Sequence, residues 1–391
     1  GVLTTREDAT ALRRHVCIVG SGLLSALHGE YVGGAEKQCA LLAQALSRRG
    51  HRVTSLDCLL EAGAREDLGG VAVRGIWPAG RGARGLRWLT HRMPSIRRSL
   101  ARLRPDVVYL RATSLLAVCT ALAARRRRID VLWALASEYD LFAPPATEAR
   151  NGEWYAWLNR DPMVRLYRNL LRRLATRVLC QTHTQLATCH DFGLGRKATL
   201  SRSLYTGPFA DSATGNERRP VCLWVGKLGG AKGDAELIDI ARRVPDCEFR
   251  VVGRTEPRFE GSDLCRQLAE LPNVERVGYV PHDRLLPLYR EASCLLCTSP
   301  SEGFSNVFLE AWAHETPVAS LTVDPDALLE EHGLGICAHG DRHRCAEAVR
   351  RLCSAPDERR AIGQRAARYV RESHGEQACM TAWDPLLAPN P

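Results

Sequence analysis

The stretch VCLWVGKLGGAKGDAELIDIARR, Val221 to Arg243, decides the fold. Its opening residues are apolar without alternation, as in a short strand covered on both faces. A glycine-rich loop with Lys227 and Lys232 follows, and then apolar residues at helical spacing predict an amphipathic helix from Asp234 to Arg243. Strand, glycine loop and helix in that order begin a βαβ unit. Outward from it the pattern repeats as EFRVVG, a helix near Leu264 to Glu270, VERVGY, a helix near Leu285 to Glu291, CLLCTS, a helix from Val307 to Ala313, and TPVASL. The first half of the chain reads the same way. HVCIVG is a buried strand, Gly34 to Arg49 an amphipathic helix closed by Gly50, and RVTSL, VAVRGI, DVVYL and VLWAL are further strands with helical stretches between most of them.

Such alternation specifies parallel sheets with helices on both faces. The expected fold class is α/β, with two doubly wound parallel-sheet, Rossmann-like domains facing each other. The first spans residues 13–205 and the second 221–365, joined by the polar, turn-rich TGPFADSATGNERRP, Thr206 to Pro220. Residues 366–391 form a C-terminal helix and tail placed to cross back to the first domain. Ligands bind outside the carboxyl ends of such strands, so the cleft between the domains is the expected site.

Composition bounds the function. The chain has 391 residues, 45% hydrophobic and 25% charged, which suits two globular domains. Fifteen cysteines are an odd number, and Cys17, Cys180, Cys222, Cys294 and Cys297 sit inside apolar runs. Free thiols in a reducing compartment fit this better than a disulfide framework. Cys294 and Cys297 form a CxxC within a strand rather than at a helix start, which argues against redox chemistry. Arg13-Arg14 before VCIVGSGLLSAL imitates a signal peptide, but a helix and a second strand follow at once. The longest other apolar stretch, Leu115 to Ala124, is about half the ~20 residues that cross a bilayer. The protein is therefore expected to be cytoplasmic, either soluble or peripheral on the inner face of a membrane.

Net charge is +10, and Gly80 to Asp130 carries thirteen arginines against Asp106 and Asp130. A solvated helix face, an anionic membrane or lipid-phosphate surface and a nucleic-acid patch all remain open readings. Few aromatic residues interleave with these arginines, so nucleic acid is the weakest partner and none is expected. Cys337, His339, His343 and Cys345 are zinc-type ligands, but their spacing matches no common zinc pattern, and no metal or cofactor is expected.

Gly20-Ser21-Gly22 lacks the third glycine and downstream acid of a dinucleotide fingerprint. Gly33 and Gly34 precede a helix whose first turn holds Glu36, which suits either an anion site or a plain loop tip. Four of the 54 basic residues are lysine, and two of them, Lys227 and Lys232, flank the glycine loop after Gly226. A compact ammonium beside a glycine loop and a helix start is suited to a diphosphate. In EGFSNVFLE, Glu302 to Glu310, the glycine permits close approach and a helix begins near Val307. Glu310 then projects about two turns along that helix. Two carboxylates so placed can accept hydroxyls of a ribose and a sugar, or can be ordinary solvent-facing glutamates.

VGKLGGAKG, FRVVG, LPNVERVGYVP and TSPSEGFSNVFLEAWAHETPVASLTVDPD together resemble the nucleotide-binding domain of family-4 retaining glycosyltransferases, which have the GT-B fold. GGAEKQCALLAQALSRRGHRV resembles that family's first glycine loop and helix, and RVLCQTHTQLATCHDFG the end of its acceptor domain. The resemblance implies that Lys232 and Lys227 contact the diphosphate and assist its departure, Glu310 binds the ribose and Glu302 the donor sugar. It further implies that Gly303, Phe304, Ser305 and Asn306 lie against sugar and diphosphate, and that Gly253, Tyr279 and Val280 border the base. Gly33 and Gly34 should face the diphosphate and acceptor across the cleft.

Many members place a histidine near the end of the strand VLWAL, where this chain has Ser137-Glu138-Tyr139-Asp140. Arg111, Ser137, Glu138 and Asp140 are the acceptor-side candidates, with Asp140 as a cap or turn residue the structural alternative. The implied activity is metal-independent hexosyl transfer with anomeric retention. The donor would be a UDP- or GDP-linked sugar, and the acceptor a hydroxyl of a lipid-linked sugar, glycan or natural product. A sugar-nucleotide epimerase or hydrolase, and a basic lipid-phosphate or nucleic-acid binding protein on the same scaffold, are the competing classes.

Overall fold

The computed structural model describes residues 13–30, 33–77, 86–142, 162–210, 220–230 and 232–388. Among these residues the first sheet contains β1 (His15–Gly20), β2 (Arg52–Asp57), β3 (Arg65–Leu68), β4 (Val71–Gly75), β5 (Val107–Arg111), β6 (Asp130–Ala134), β7 (Arg177–Cys180) and β8 (Ala198–Leu200). Their order is β3-β4-β2-β1-β5-β6-β7-β8, and the pairs are parallel apart from the antiparallel hairpin β3–β4. The second sheet contains β9 (Val221–Val225), β10 (Glu248–Val252), β11 (Val274–Gly278), β12 (Cys294–Cys297), β13 (Val318–Ser320) and β14 (Gly335–Cys337). Its order is β11-β10-β9-β12-β13-β14, all parallel. The strand order reverses between β1 and β5 and between β9 and β12, and such reversal points leave a crevice at the carboxyl ends. The two α/β domains expected from the alternating pattern are present, because each apolar strand needs cover on both faces.

Each sheet is covered on both sides. On one face of the first, Trp133, Leu110 and Val108 pack with Ile96 and Leu100 of the helix Met93–Leu103. On the other, Val16, Ile18 and Tyr109 pack with Leu42 and Leu46 of the helix Gly34–Arg48 and with Met380, Trp383 and Leu387 from the end of the chain. The helix Pro356–His374 contributes Ala366 and Val370 to the second domain's core beside Phe308 and Trp312. The chain then passes onto the first domain, where Glu376 pairs with Arg48 and Asp384 with Arg49. All fifteen cysteines are free thiols. Arg125 to Arg128 are exposed at the end of the helix Leu115–Arg125, where positive charge suits the carbonyl-rich terminus. Arg81 and Arg84 lie outside the described residues. Among the described residues no helix is long and apolar enough to cross a membrane.

Two joints hold the domains together away from the cleft. Asp326 of the second domain accepts from the backbone N–H of His183 (2.8 Å) and of Thr184 (3.0 Å), at the start of the helix His183–Asp191 in the first. Asp326 and Ala327 have left-handed backbone, φ 53° and 54°. The second joint is His374, whose ring is buried against Phe304 and Tyr369 and donates from Nδ1 to Ser203 O at 2.7 Å.

Burial lowers the His374 imidazole to about 4. A folded value below the unfolded ~6.5 means that the neutral ring's contribution is complete above pH 6.5 and is lost as pH falls toward 4, a span worth about 3 kcal/mol. The melting temperature of the wild type should therefore fall more steeply over that window than that of His374→Asn, which keeps a donor without the titration. Parallel curves in a pH series of thermal melts would refute this role.

Candidate functional site

The glycine loop after β9 is held by its own helix and by the neighbouring strand. Asp234 Oδ2 accepts from Gly229 N–H at 2.8 Å, and Thr298, just past β12, donates from Oγ1 to Lys232 O at 2.6 Å. Trp224 Nε1 fixes the same Thr298 hydroxyl at 2.9 Å. Burial, opposed by the Gly229 N–H, raises the Asp234 carboxyl to about 6. At the end of β10, Gly253 has φ 141° and lies so close to Gly226 O that a Cβ would collide with it. The strand ends thus form a tight floor from which Lys227 and Lys232 project.

That floor opens into a cavity of about 560 Å³ between the domains. Its walls include Gly33, Gly34 and Arg111 from the first domain. From the second come Gly226, Lys227, Lys232, Gly253, Tyr279, Val280, Glu302, Gly303, Phe304, Ser305, Asn306 and Glu310. The side chain of Ser305 makes no capping bond at the start of the helix Asn306–Ala313. Lys232 pairs with Glu302, whose Oε1 also accepts from Ser299 Oγ at 2.8 Å, and Lys227 pairs with the carboxylate of Glu256 at the surface. Tyr279 is stacked by the Arg254 guanidinium, 4.5 Å from the ring centroid.

Glu310 is buried rather than solvent-facing, and its partners come from two helices, one in each domain. Lys37, on the helix Gly34–Arg48 of the first domain, donates to Oε1. His282 Nε2 lies 3.0 Å from the same oxygen, and Tyr289 Oη donates to Oε2 at 2.7 Å. Burial alone would push the Glu310 carboxyl up, but the Lys37 ammonium and the His282 imidazole outweigh it and hold the group at about 2. Beside this pair Gln38 Nε2 donates to Asn306 Oδ1 at 2.7 Å and Asn306 Nδ2 to Gly34 O at 3.0 Å, both across the cleft.

The sequence did not single out Lys37, His282 or Tyr289 as site residues. Lysine scarcity was the available signal for Lys37, and its partner lies 273 residues away.

The acceptor side departs from the sequence expectation. Ser137, Glu138 and Asp140 do not line the cavity. The Asp140 carboxylate accepts from the N–H groups of Thr113 (2.6 Å), Ala136 (2.7 Å) and Ser137 (3.3 Å), and with Ser137 it makes a capping box around the short turn Glu138–Asp140. Its oxygens are engaged by backbone, so Asp140 is a turn-capping residue. Arg111 does reach the cavity wall. Among the described residues no three potential ligands cluster to hold a metal. Cys345 is buried in the core, and His339 pairs with Glu330 at the surface.

Residues 32–200 match the family model described as Glycosyltransferase Family 4, and residues 219–355 match Glycosyl transferases group 1. This chain belongs to the family-4-like glycosyltransferases of the GT-B fold. Among relatives, it is 30% identical over 195 residues to D-inositol 3-phosphate glycosyltransferase of Corynebacterium urealyticum, covering 44% of this chain and 46% of that protein. It is 25% identical over 201 residues to the lipopolysaccharide core biosynthesis glycosyltransferase LpsE of Rhizobium meliloti, covering 51% and 56%. The match thus spans about half the length of these curated relatives. The crystal structure of Anabaena HepE in complex with UDP and glucose superposes with a TM-score of 0.71 over 96% of this chain and 99% of that one, at 18% identity.

In this family-4-like chain the backbones of the two domains meet at Gly303. A Cβ there would collide with Ala136 O at the end of the first sheet and lie 3.2 Å from Gln181 Nε2. Backbone oxygen cannot give way as a flexible side chain can, so Gly303→Ala should hold the domains apart. Small-angle scattering should then show a larger radius of gyration than wild type with far-UV circular dichroism unchanged. An unchanged radius would mean the contact is not needed for closure.

Proposed function

We propose that the protein transfers a sugar from a nucleoside-diphosphate sugar to an acceptor hydroxyl, retaining anomeric configuration and needing no metal. The observation that carries this reading is that Lys227, Lys232, the helix start at Asn306 and the buried carboxylate of Glu310 share one cleft. In this reading the diphosphate lies over the glycine loop and against the first turn of the helix, where N–H groups favour an anion. The ribose diol meets Glu310, the base meets Tyr279 and Val280, and the sugar lies toward Glu302 and Gly303. A bound ribose shares Glu310 with Lys37, so donor binding and domain closure act on the same carboxylate.

As the bond from the anomeric carbon to the diphosphate oxygen breaks, negative charge grows on the leaving phosphate, where the lysines stabilise it. The acceptor oxygen forms its bond to the anomeric carbon from the same face, and its proton passes to the departing phosphate. Charge-assisted hydrogen bonds contribute about 1.5–3 kcal/mol each and a helix terminus about 0.3–1. Two lysines and one terminus therefore give roughly 3–7 kcal/mol, against about 4 for millimolar affinity. Lys232 exchanges Glu302 for the diphosphate, so its net contribution lies toward the lower end.

UDP or GDP should raise the melting temperature of the wild type, because a ligand that binds the native state stabilises it. Lys232→Ala and Glu310→Ala should each lower sugar transfer about 100-fold or more, the scale of losing a charge-stabilising group, with the circular dichroism spectrum retained. Wild-type turnover in both variants would overturn the assignment of the donor site.

A further inference from the structure

Arg111 is a cleft residue to which the proposed reaction gives no task. It ends β5 on the first-domain wall of the cavity. Its Nη1 donates to Tyr109 Oη at 3.2 Å and its Nη2 to Gln181 Oε1 at 3.1 Å. Both acceptors are neutral. Gln181 is itself fixed, donating from Nε2 to Leu135 O (2.6 Å) and Ala136 O (3.2 Å) and accepting from Ser203 Oγ at 2.9 Å. The guanidinium is therefore held in one orientation by neutral side chains.

Among the described residues no carboxylate forms a salt bridge with Arg111, and its buried Nε has no hydrogen-bond partner. Lys37, Lys227 and Lys232 in the same cleft are each paired with a glutamate. The Asp140 carboxylate acts on this cation only from a distance, so a ligand anion in contact with it would be favourable, and a fixed guanidinium matches the two oxygens of a phosphate or carboxylate. Its location is equally specific. Gln181, which orients Arg111, stands directly across from Gly303, next to Glu302. This is the sugar end of the cleft, while the glycine loop with Lys227 and Lys232 belongs to the opposite domain.

We propose that Arg111 seats a phosphate or carboxylate group of a reacting sugar substrate, distinct from the diphosphate of the nucleotide, and so selects for an anionic substrate. The inference rests on the glycosyltransferase reading above and narrows its substrate class.

The test uses the full chain as wild type, Arg111→Gln and Arg111→Lys, each checked by circular dichroism. UDP and GDP are titrated first by calorimetry. Inorganic phosphate is then titrated into the protein saturated with whichever nucleotide binds, and in a second arm the uronate and neutral hexose forms of the matching nucleotide sugar are compared. Nucleotide affinity should stay within about threefold in all three proteins, while phosphate binding, or the preference for the uronate donor, falls about tenfold or more in Arg111→Gln and less in Arg111→Lys, as for loss of one charge-assisted contact. Loss in the phosphate arm assigns the anion to the acceptor, and loss in the uronate arm assigns it to the donor sugar. Equal behaviour of wild type and variants in both arms overturns the proposal. So does an equal loss of nucleotide affinity, which would make Arg111 part of the diphosphate cradle. If Arg111→Gln does not fold, Arg111→Lys and the wild-type titrations decide alone. Failure of the wild type to bind either nucleotide would instead sink the glycosyltransferase reading itself.

Discussion

The ion pair between Lys37 and Glu310 joins one domain to the other inside the cleft, and much of the site's geometry is set around it. A buried carboxylate is unfavourable alone, and here Lys37 from the opposite domain, with His282 and Tyr289 from one helix of its own domain, compensates it. Because one of those donors belongs to the opposite domain, the charge state of Glu310 and the closeness of the two sheets are linked. Gln38 and Asn306 extend the contact with neutral hydrogen bonds, and Gly303 allows the backbones to meet. The cleft walls are thus positioned by polar pairing, while the apolar cores behind them supply stiffness.

The architecture was legible in the chain because both sheets are built from short apolar runs between helices, a pattern with few other solutions. Where a strand breaks that pattern it was missed: Arg65–Leu68 is a polar edge strand with little to mark it in the sequence. The floor of the cleft was legible too, since glycines, lysines and a helix start follow one another within a single loop. Lys37, His282 and Tyr289 were not, because what makes them part of the site is convergence on Glu310 from distant parts of the chain. Ser137 to Asp140 mislead in the opposite sense. Acidic residues at the end of a strand suggest chemistry, but here the carboxylate of Asp140 is occupied by three backbone N–H groups.

The distribution of charge divides the cleft by domain. The second domain offers lysines already balanced by glutamates, suited to exchanging one anion for another. The first domain offers an arginine held by neutral partners. Such a division lets the two halves of a reaction be recognised by different physics, one by exchange of ions and the other by direct contact with a fixed guanidinium.

Asp326 carries a consequence for motion. Its carboxylate accepts the first two N–H groups of the helix His183–Asp191, beside that helix's own Thr182 cap, although the helix belongs to the other domain. Separating the domains there leaves those two N–H groups to water, while the Thr182 cap stays in place. The amides of His183 and Thr184 consequently act as a built-in gauge of opening, exchanging their protons with solvent at the rhythm of the hinge.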